Sequence, residues 1–138
     1  MDKQNEILNT IKILAGTTGM FVSELMGGWD MFLKALLLMI IIDYATGVLK
    51  AIYLKELSSE IGYKGIIKKV VMLLVVVIAC QIDALVGTDN ALRTGTIFFW
   101  IANEGISILE NAAKMGVPVP KQVKDALLKL KNEQEGGR

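Results

Sequence analysis

Residues 70–86, VVMLLVVVIACQIDALV, constrain the chain more than any other stretch. The ten positions from Val70 to Ala79 contain neither a charged nor a polar side chain. A helix that is apolar on every side has no solvated face, so it must sit in a large core or in lipid. At 138 residues the natural prior is one domain. Hydrophobic residues make up 53% of the chain and mean hydropathy is +0.49, both high for a soluble domain of this size. Charged residues reach 21% but are segregated from the apolar runs. These features predict a membrane protein.

Residues 29–49 (WDMFLKALLLMIIIDYATGVL) form another span, since about 20 mainly apolar residues cross a bilayer. Trp29 and Tyr44 or Tyr53 suit the interfacial belts, and Lys34 can snorkel from near one end. Asp43 is deeper and shares a helical face with Thr46, Gly47 and Lys50. Gly47 and Ala51 make a small-xxx-small pair that lets another helix approach closely. Asp43, Gly47 and Ala51 are therefore candidate helix-packing and assembly residues.

Residues 92–113 form the third span, and it is unusual. On a helical wheel of about 100° per residue, Thr96, Asn103, Ser107, Glu110 and Lys114 fall within about 60° of one another. Arg93, Glu104 and Asn111 lie within about 60° beyond them. The remaining positions are mostly apolar or small. Thr96, Asn103, Glu104, Ser107, Glu110 and Asn111 are the candidate pore or polar-face residues. A stripe of this kind wants polar neighbours or water, and self-association would supply both.

Other segments are polar or amphipathic. Residues 7–27 are read as an interfacial helix ended by Gly27-Gly28, although their length would also allow a crossing. Residues 50–69 form a basic connector with a turn marked by Ser58-Ser59 and two glycines. Gly87-Thr88-Asp89-Asn90 makes a tight antiparallel hairpin, and Pro118 and Pro120 stop the third span. Residues 121–131 predict a short amphipathic helix, and 132–138 are expected to be disordered. The predicted fold is all-α: an integral membrane protein with three transmembrane helices (four if residues 7–27 also cross), an N-terminal amphipathic helix and a short C-terminal one. The division is 1–28 N-terminal segment, 29–113 transmembrane domain and 114–138 basic tail.

The 50–69 connector carries five lysines, the 114–138 tail five lysines and one arginine, and the 87–92 turn none. By the positive-inside rule the connector and tail are cytoplasmic, so the C-terminus is cytoplasmic. No basic n-region with a cleavage site opens the chain, so a cleaved signal peptide is not expected. Asp83 and Arg93 flank the turn and are expected to form a hairpin salt bridge. Asp43 and Glu104 have no evident cation at their depth, which makes them suspect as functional groups.

The chain contains no histidine and one cysteine, Cys80. That removes the commonest general base and any intrachain disulfide. No nucleophile–base pair, metal-ligand cluster or nucleic-acid motif is evident, so no enzyme, cofactor or nucleic-acid partner is expected. A small proton- or cation-coupled transporter using Asp43 and Glu104 is an alternative, but internal repeats and broken helices are missing.

Three pieces of the sequence resemble the holin family of bacteriophage lysis and clostridial toxin secretion. They are Asp43-Tyr44-x-Thr46-Gly47, then Leu57-Ser58-Ser59 with Gly62-x-Lys64-Gly65-x-x-Lys68-Lys69, and finally Glu104-Gly105-x-Ser107-Ile108-Leu109-Glu110-Asn111 before Gly116-Val117-Pro118-Val119-Pro120. The resemblance covers residues 43–130. It implies a protein of the host bacterium's cytoplasmic membrane that assembles with copies of itself and opens holes. Endolysin, or a toxin, then crosses without required direct contact. The basic segments would touch anionic lipid. An antiholin regulator of such holes would share the same motifs.

Overall fold

The computed structural model describes residues 2–136, and Gly137 and Arg138 of the expected disordered tail lie outside them. Among the described residues there are five helices and no strand: α1 (Lys3–Leu25), α2 (Met31–Tyr53), α3 (Ser59–Val86), α4 (Ala91–Lys114) and α5 (Lys121–Glu135). The fold is all-α.

The helix ends follow local chemistry. Gly27 and Gly28, at φ +82° and +104°, end α1 with a backbone that other residues adopt at a cost. The Asp30 carboxylate accepts from the Leu33 N–H and caps α2. Ser58 does the same for α3 through the Ile61 N–H. Gly87 closes α3 in the left-handed region. At the end of α4, the Val117 N–H reaches the Ala112 carbonyl and the Gly116 N–H reaches the Ala113 carbonyl, with Gly116 at φ +81°. That is a Schellman stop, and Pro118 and Pro120 follow it.

α4 is the central helix, packed most extensively on α2 and also on α3 and α5. α2 and α4 run parallel, since Arg93 meets Asp30 where both begin and Asn111 meets Thr46 further along. The core is formed by Leu33, Leu36 and Ile40 of α2, Met72, Val76 and Cys80 of α3 and Ile97 of α4, with Met26. On the outer faces of α2 and α3 large apolar side chains stay exposed: Leu38, Ile41, Leu49, Ile66, Val70, Leu74, Ile78 and Ile82. The α3 band from Ile66 to Ile82 is about 24 Å long, close to the thickness of a hydrocarbon core.

Several expectations change. Two helices, α2 and α3, are long and apolar enough to cross a membrane, rather than three or four. α4 has the length, but Asn103, Glu104, Glu110 and Asn111 lower its hydropathy, and α1 is diluted by Asn5, Asn9, Lys12 and its threonines. α1 runs unbroken from Lys3 to Leu25 through Gly16 and Gly19, glycines that on sequence alone weaken a long regular helix. The connector is mostly helix: its turn is confined to residues 54–58, and Gly62, Gly65, Lys64, Lys68 and Lys69 belong to α3. Asn132–Glu135, expected to be disordered, extend α5, where Gln134 packs beside Gly95.

Candidate functional site: a polar seam through the helix bundle

The polar residues of α4 divide into two sets with different surroundings. Arg93, Glu104 and Asn111 are the buried polar residues of this helix, at 3%, 5% and 6% exposure. Thr96, Asn103 and Ser107 are half-buried, and Glu110 is exposed. The two angular groups of the helical wheel therefore meet different neighbours.

The seam begins where α2 and α4 start. The Arg93 guanidinium reaches Asp30 through Nη1 at 2.7 Å and donates from Nε to the Met26 carbonyl and from Nη2 to the Gly28 carbonyl. Hydrogen bonding from Arg93 holds the Asp30 carboxyl below its ordinary range, against the opposing effect of burial. A Cβ on Gly27 would lie 2.6 Å from Arg93 Nε, so this residue must be glycine for space as well as for its φ.

The expected Asp83–Arg93 salt bridge does not form. Asp83 instead accepts from the Leu92 and Arg93 backbone N–H groups, at 3.0 and 2.7 Å, and from the Thr88 hydroxyl. Asn90 makes no side-chain cap, so the first free N–H groups of α4 are satisfied by a carboxylate from α3. Arg93 is thereby left free to bind Asp30 and the α1–α2 turn.

The expectation that Asp43 and Glu104 lack a cation is also overturned. Lys69 Nζ lies 2.5 Å from Asp43 and also donates to Glu104. The three side chains share one depth for a simple reason. Asp43 stands ten residues before the end of α2, Lys69 ten after the start of α3, and Glu104 ten before the end of α4. At about 1.5 Å per residue each is roughly 15 Å from the same end of the bundle. Asn111 Nδ2 donates to Asp43 Oδ1 at 3.3 Å and to Thr46 Oγ1 at 3.1 Å. One ammonium faces two carboxylates, and the Asn111 amide offsets part of the surplus negative charge.

Beside this cluster, towards the lysine-rich end, lies a cavity of about 340 Å³ bordered by Tyr44, Gly47, Lys50, Lys68, Ser107 and Asn111. Gly62 and Gly65 of α3 lie against the Tyr44 side chain, where a Cβ would be 3.5 Å from its atoms. Gly47 faces Asn111, and Ala51 is buried.

The second set is not gathered into the cluster. Asn103 Nδ2 donates back to its own helix at the Phe99 carbonyl. Thr96 borders a shallow groove with Val75, Phe99, Trp100 and Gln134. Trp100 Nε1 is buried with no hydrogen-bond partner among the described residues. Lys69 and Asp30 were missing from the sequence-based site. Ser58 followed by Glu60, a helix-start signal, would have placed Lys69 well inside a helix.

The chain is similar in sequence to several known proteins. An uncharacterised protein of Listeria innocua is 46% identical over 123 residues, covering 89% of this chain and 86% of its own. An uncharacterised 14.9 kDa protein of Clostridium perfringens, from the nagH 3′ region, is 43% identical over 129 residues, covering 93% of this chain and 98% of its own. A protein of Bacillus phage phi105 named "Probable holin" is 38% identical over 104 residues, covering 75% and 77%. No solved structure matches. Residues 20–132, nearly the whole helical bundle, match the bacteriophage holin family, and the chain belongs to that family.

Proposed function

We propose that the chain is a hole-forming holin that assembles with copies of itself in the bacterial cytoplasmic membrane and releases an endolysin or a toxin at lysis. The family is a non-enzymatic, membrane pore-forming one. The observation that carries the finer reading is the outward stripe of α4. Thr96, Asn103, Ser107 and Glu110 remain outside the buried cluster, and the Trp100 N–H beside them lacks an acceptor. Leaving a buried donor unpaired costs about 1–3 kcal/mol, so this stretch of α4 is not at its best-satisfied packing in a single chain.

In this reading residues 29–113 form the membrane domain, with α4 crossing as a third helix beside α2 and α3. Residues 1–28 lie in the interface, and residues 114–138 are a basic tail that begins in the cytoplasm. Lys50, Lys55, Lys64, Lys68 and Lys114 gather at one end of the bundle, while the Gly87–Asn90 turn at the other end carries no lysine or arginine. That asymmetry favours a multi-pass protein with the lysine-rich end inside, in contact with anionic lipid. Asp43, Gly47 and Ala51 serve packing against α4. A transporter reading is weaker, because Lys69 occupies the place between Asp43 and Glu104 that a carried cation would need.

Inducible expression in bacteria tests the proposal, with membrane potential and release of a cytoplasmic enzyme as readouts. Expression should collapse the potential and release the enzyme. Asn103→Leu and Ser107→Leu should delay or abolish both, while Ile108→Leu should not. Cells that keep growing with full potential at high expression rule out the hole-forming reading. If such cells also delay lysis by a co-expressed holin, the chain is a regulator instead.

A further inference from the structure

α5 returns along α4 instead of leaving the bundle. A Cβ on Gly105 would lie 2.8 Å from Leu127 Cδ1, and one on Gly95 would lie 3.1 Å from Gln134 Oε1. α5 is therefore antiparallel to α4 and reaches almost to the end where α4 begins. Its apolar side seats Leu127 and Leu130, both half-buried. Lys121, Lys124, Asp125, Lys129, Glu133 and Glu135 all stay exposed on it.

This arrangement restricts where the bundle can exist. With α4 beside α2 and α3 at membrane depth, a docked α5 is at membrane depth too. Each of its charges turned towards acyl chains costs more than one buried leucine returns. A docked α5 needs water beside α4. A single copy in lipid offers none at that depth, whereas an assembled hole does. Gln134, on the same face of α5 as Leu127, reaches the groove that Thr96 borders, so α5 lies beside the α4 stripe with its charged side exposed. The exposed apolar band belongs to α2 and α3. In a ring of copies that band meets lipid while α4 and α5 face inward.

We infer that α5 is a second lining helix of the hole, undocked and cytoplasmic in the unassembled chain and folded back along α4 once copies enclose water. The inference rests on the hole-forming reading. The turn from Gly116 to Pro120 is the hinge, because Gly116 at φ +81° and the two prolines interrupt the helix between α4 and α5.

The test uses the full chain with Cys80→Ala, Gly95→Cys and Gln134→Cys, oxidised with copper phenanthroline before and after induced loss of membrane potential. The expected result is an intramolecular disulfide, read as a mobility shift of the monomer, that is absent in polarised cells and forms after depolarisation. Enzyme release should persist in the cross-linked cells. A pair already linked in polarised cells, or unlinked in lysing ones, overturns the inference. Leu127→Lys spoils the seat at Gly105, which Met39 of α2 also borders, and leaves the residues of the Lys69 cluster unchanged. It should lose enzyme release, and full release with normal timing overturns the inference. A Cys80→Ala chain that never depolarises cells counts against hole formation itself and so separates the two failures.

Discussion

Removing the Lys69 ammonium should destabilise the bundle more than any other single change at its level. Lys69→Met keeps the length of the side chain and its stem packing while stripping the cation from Asp43 and Glu104. The Lys69 side chain is 16% exposed, and those of Asp43 and Glu104 are 11% and 6% exposed, so solvent screens the group weakly. Breaking a buried ion pair by removing one partner costs about 3–5 kcal/mol, because the other partner is left buried and uncompensated. Here two carboxylates are left facing one another, which puts the expected loss at the upper part of that range. The assay is denaturant unfolding of the purified protein in detergent or lipid discs, followed by the fluorescence of Trp29 and Trp100. The control is Lys68→Met, since Lys68 is exposed and forms no ion pair among the described residues. Adding Asp43→Asn and Glu104→Gln to Lys69→Met should recover most of the loss, because a neutral amide pair no longer needs the cation. If Lys69→Met costs no more than Lys68→Met, or the triple change recovers nothing, the cluster does not hold the helices as argued.

The end of the bundle where α2 and α4 begin should show a pH dependence of defined sign. Asp30 is held below its ordinary range by Arg93, so its contribution is complete above the unfolded carboxylate pKa of about 3.9 and is lost as pH falls through the lowered folded value. Asp30→Asn should flatten that acid limb in an unfolding series, although the effect is small because the Asp30 side chain is 42% exposed. Gly27→Ala should cost about 1–3 kcal/mol in the same assay, since it forces a positive φ and meets Arg93 at 2.6 Å. Gly28→Ala, whose Cβ would meet nothing within 4 Å, should cost less. Cys80 is 8% exposed, so a thiol reagent should label it slowly in the folded protein and rapidly after denaturation.

Much of the architecture was legible because it rests on local chemistry. The Gly27-Gly28 break, the Gly87–Asn90 turn and the stop at Gly116 through Pro120 are residues that the backbone requires there. The apolar runs marked α2 and α3 for the same reason. What was not legible depended on pairing. Lys69 looks like one of five connector lysines until α3 is known to start at Ser59, after which it falls level with Asp43 and Glu104. Asp83 and Arg93 are close across a turn, so a salt bridge is the natural expectation. The unfilled N–H groups at the start of α4 compete for the same carboxylate, and α2 offers Arg93 a better-placed partner in Asp30. The wheel separated Arg93, Glu104 and Asn111 from the main stripe of α4, but it carries no information about which side the other helices occupy. The return of α5 was hidden because its charged face argued for a free tail, while its contact with α4 needs the space left by Gly95 and Gly105.

The two polar sets of α4 are coupled by geometry. A helix held only by apolar packing can roll about its axis at modest cost, and the direction of any stripe on it would then be loosely set. Here Arg93, Glu104 and Asn111 tie α4 to its neighbours through directional bonds at three levels, spread over about 27 Å. Rolling α4 would break all three together. The pins therefore fix where Thr96, Asn103, Ser107 and Glu110 point. A change at a pin then acts on the stripe without touching it. Asn111→Leu removes the bonds to Asp43 and Thr46 and leaves the stripe residues intact. If orientation matters to assembly, it should alter lysis timing as strongly as Asn103→Leu does. If timing follows only the stripe residues themselves and ignores the pins, α4 is free to turn in the membrane and its seam is packing alone.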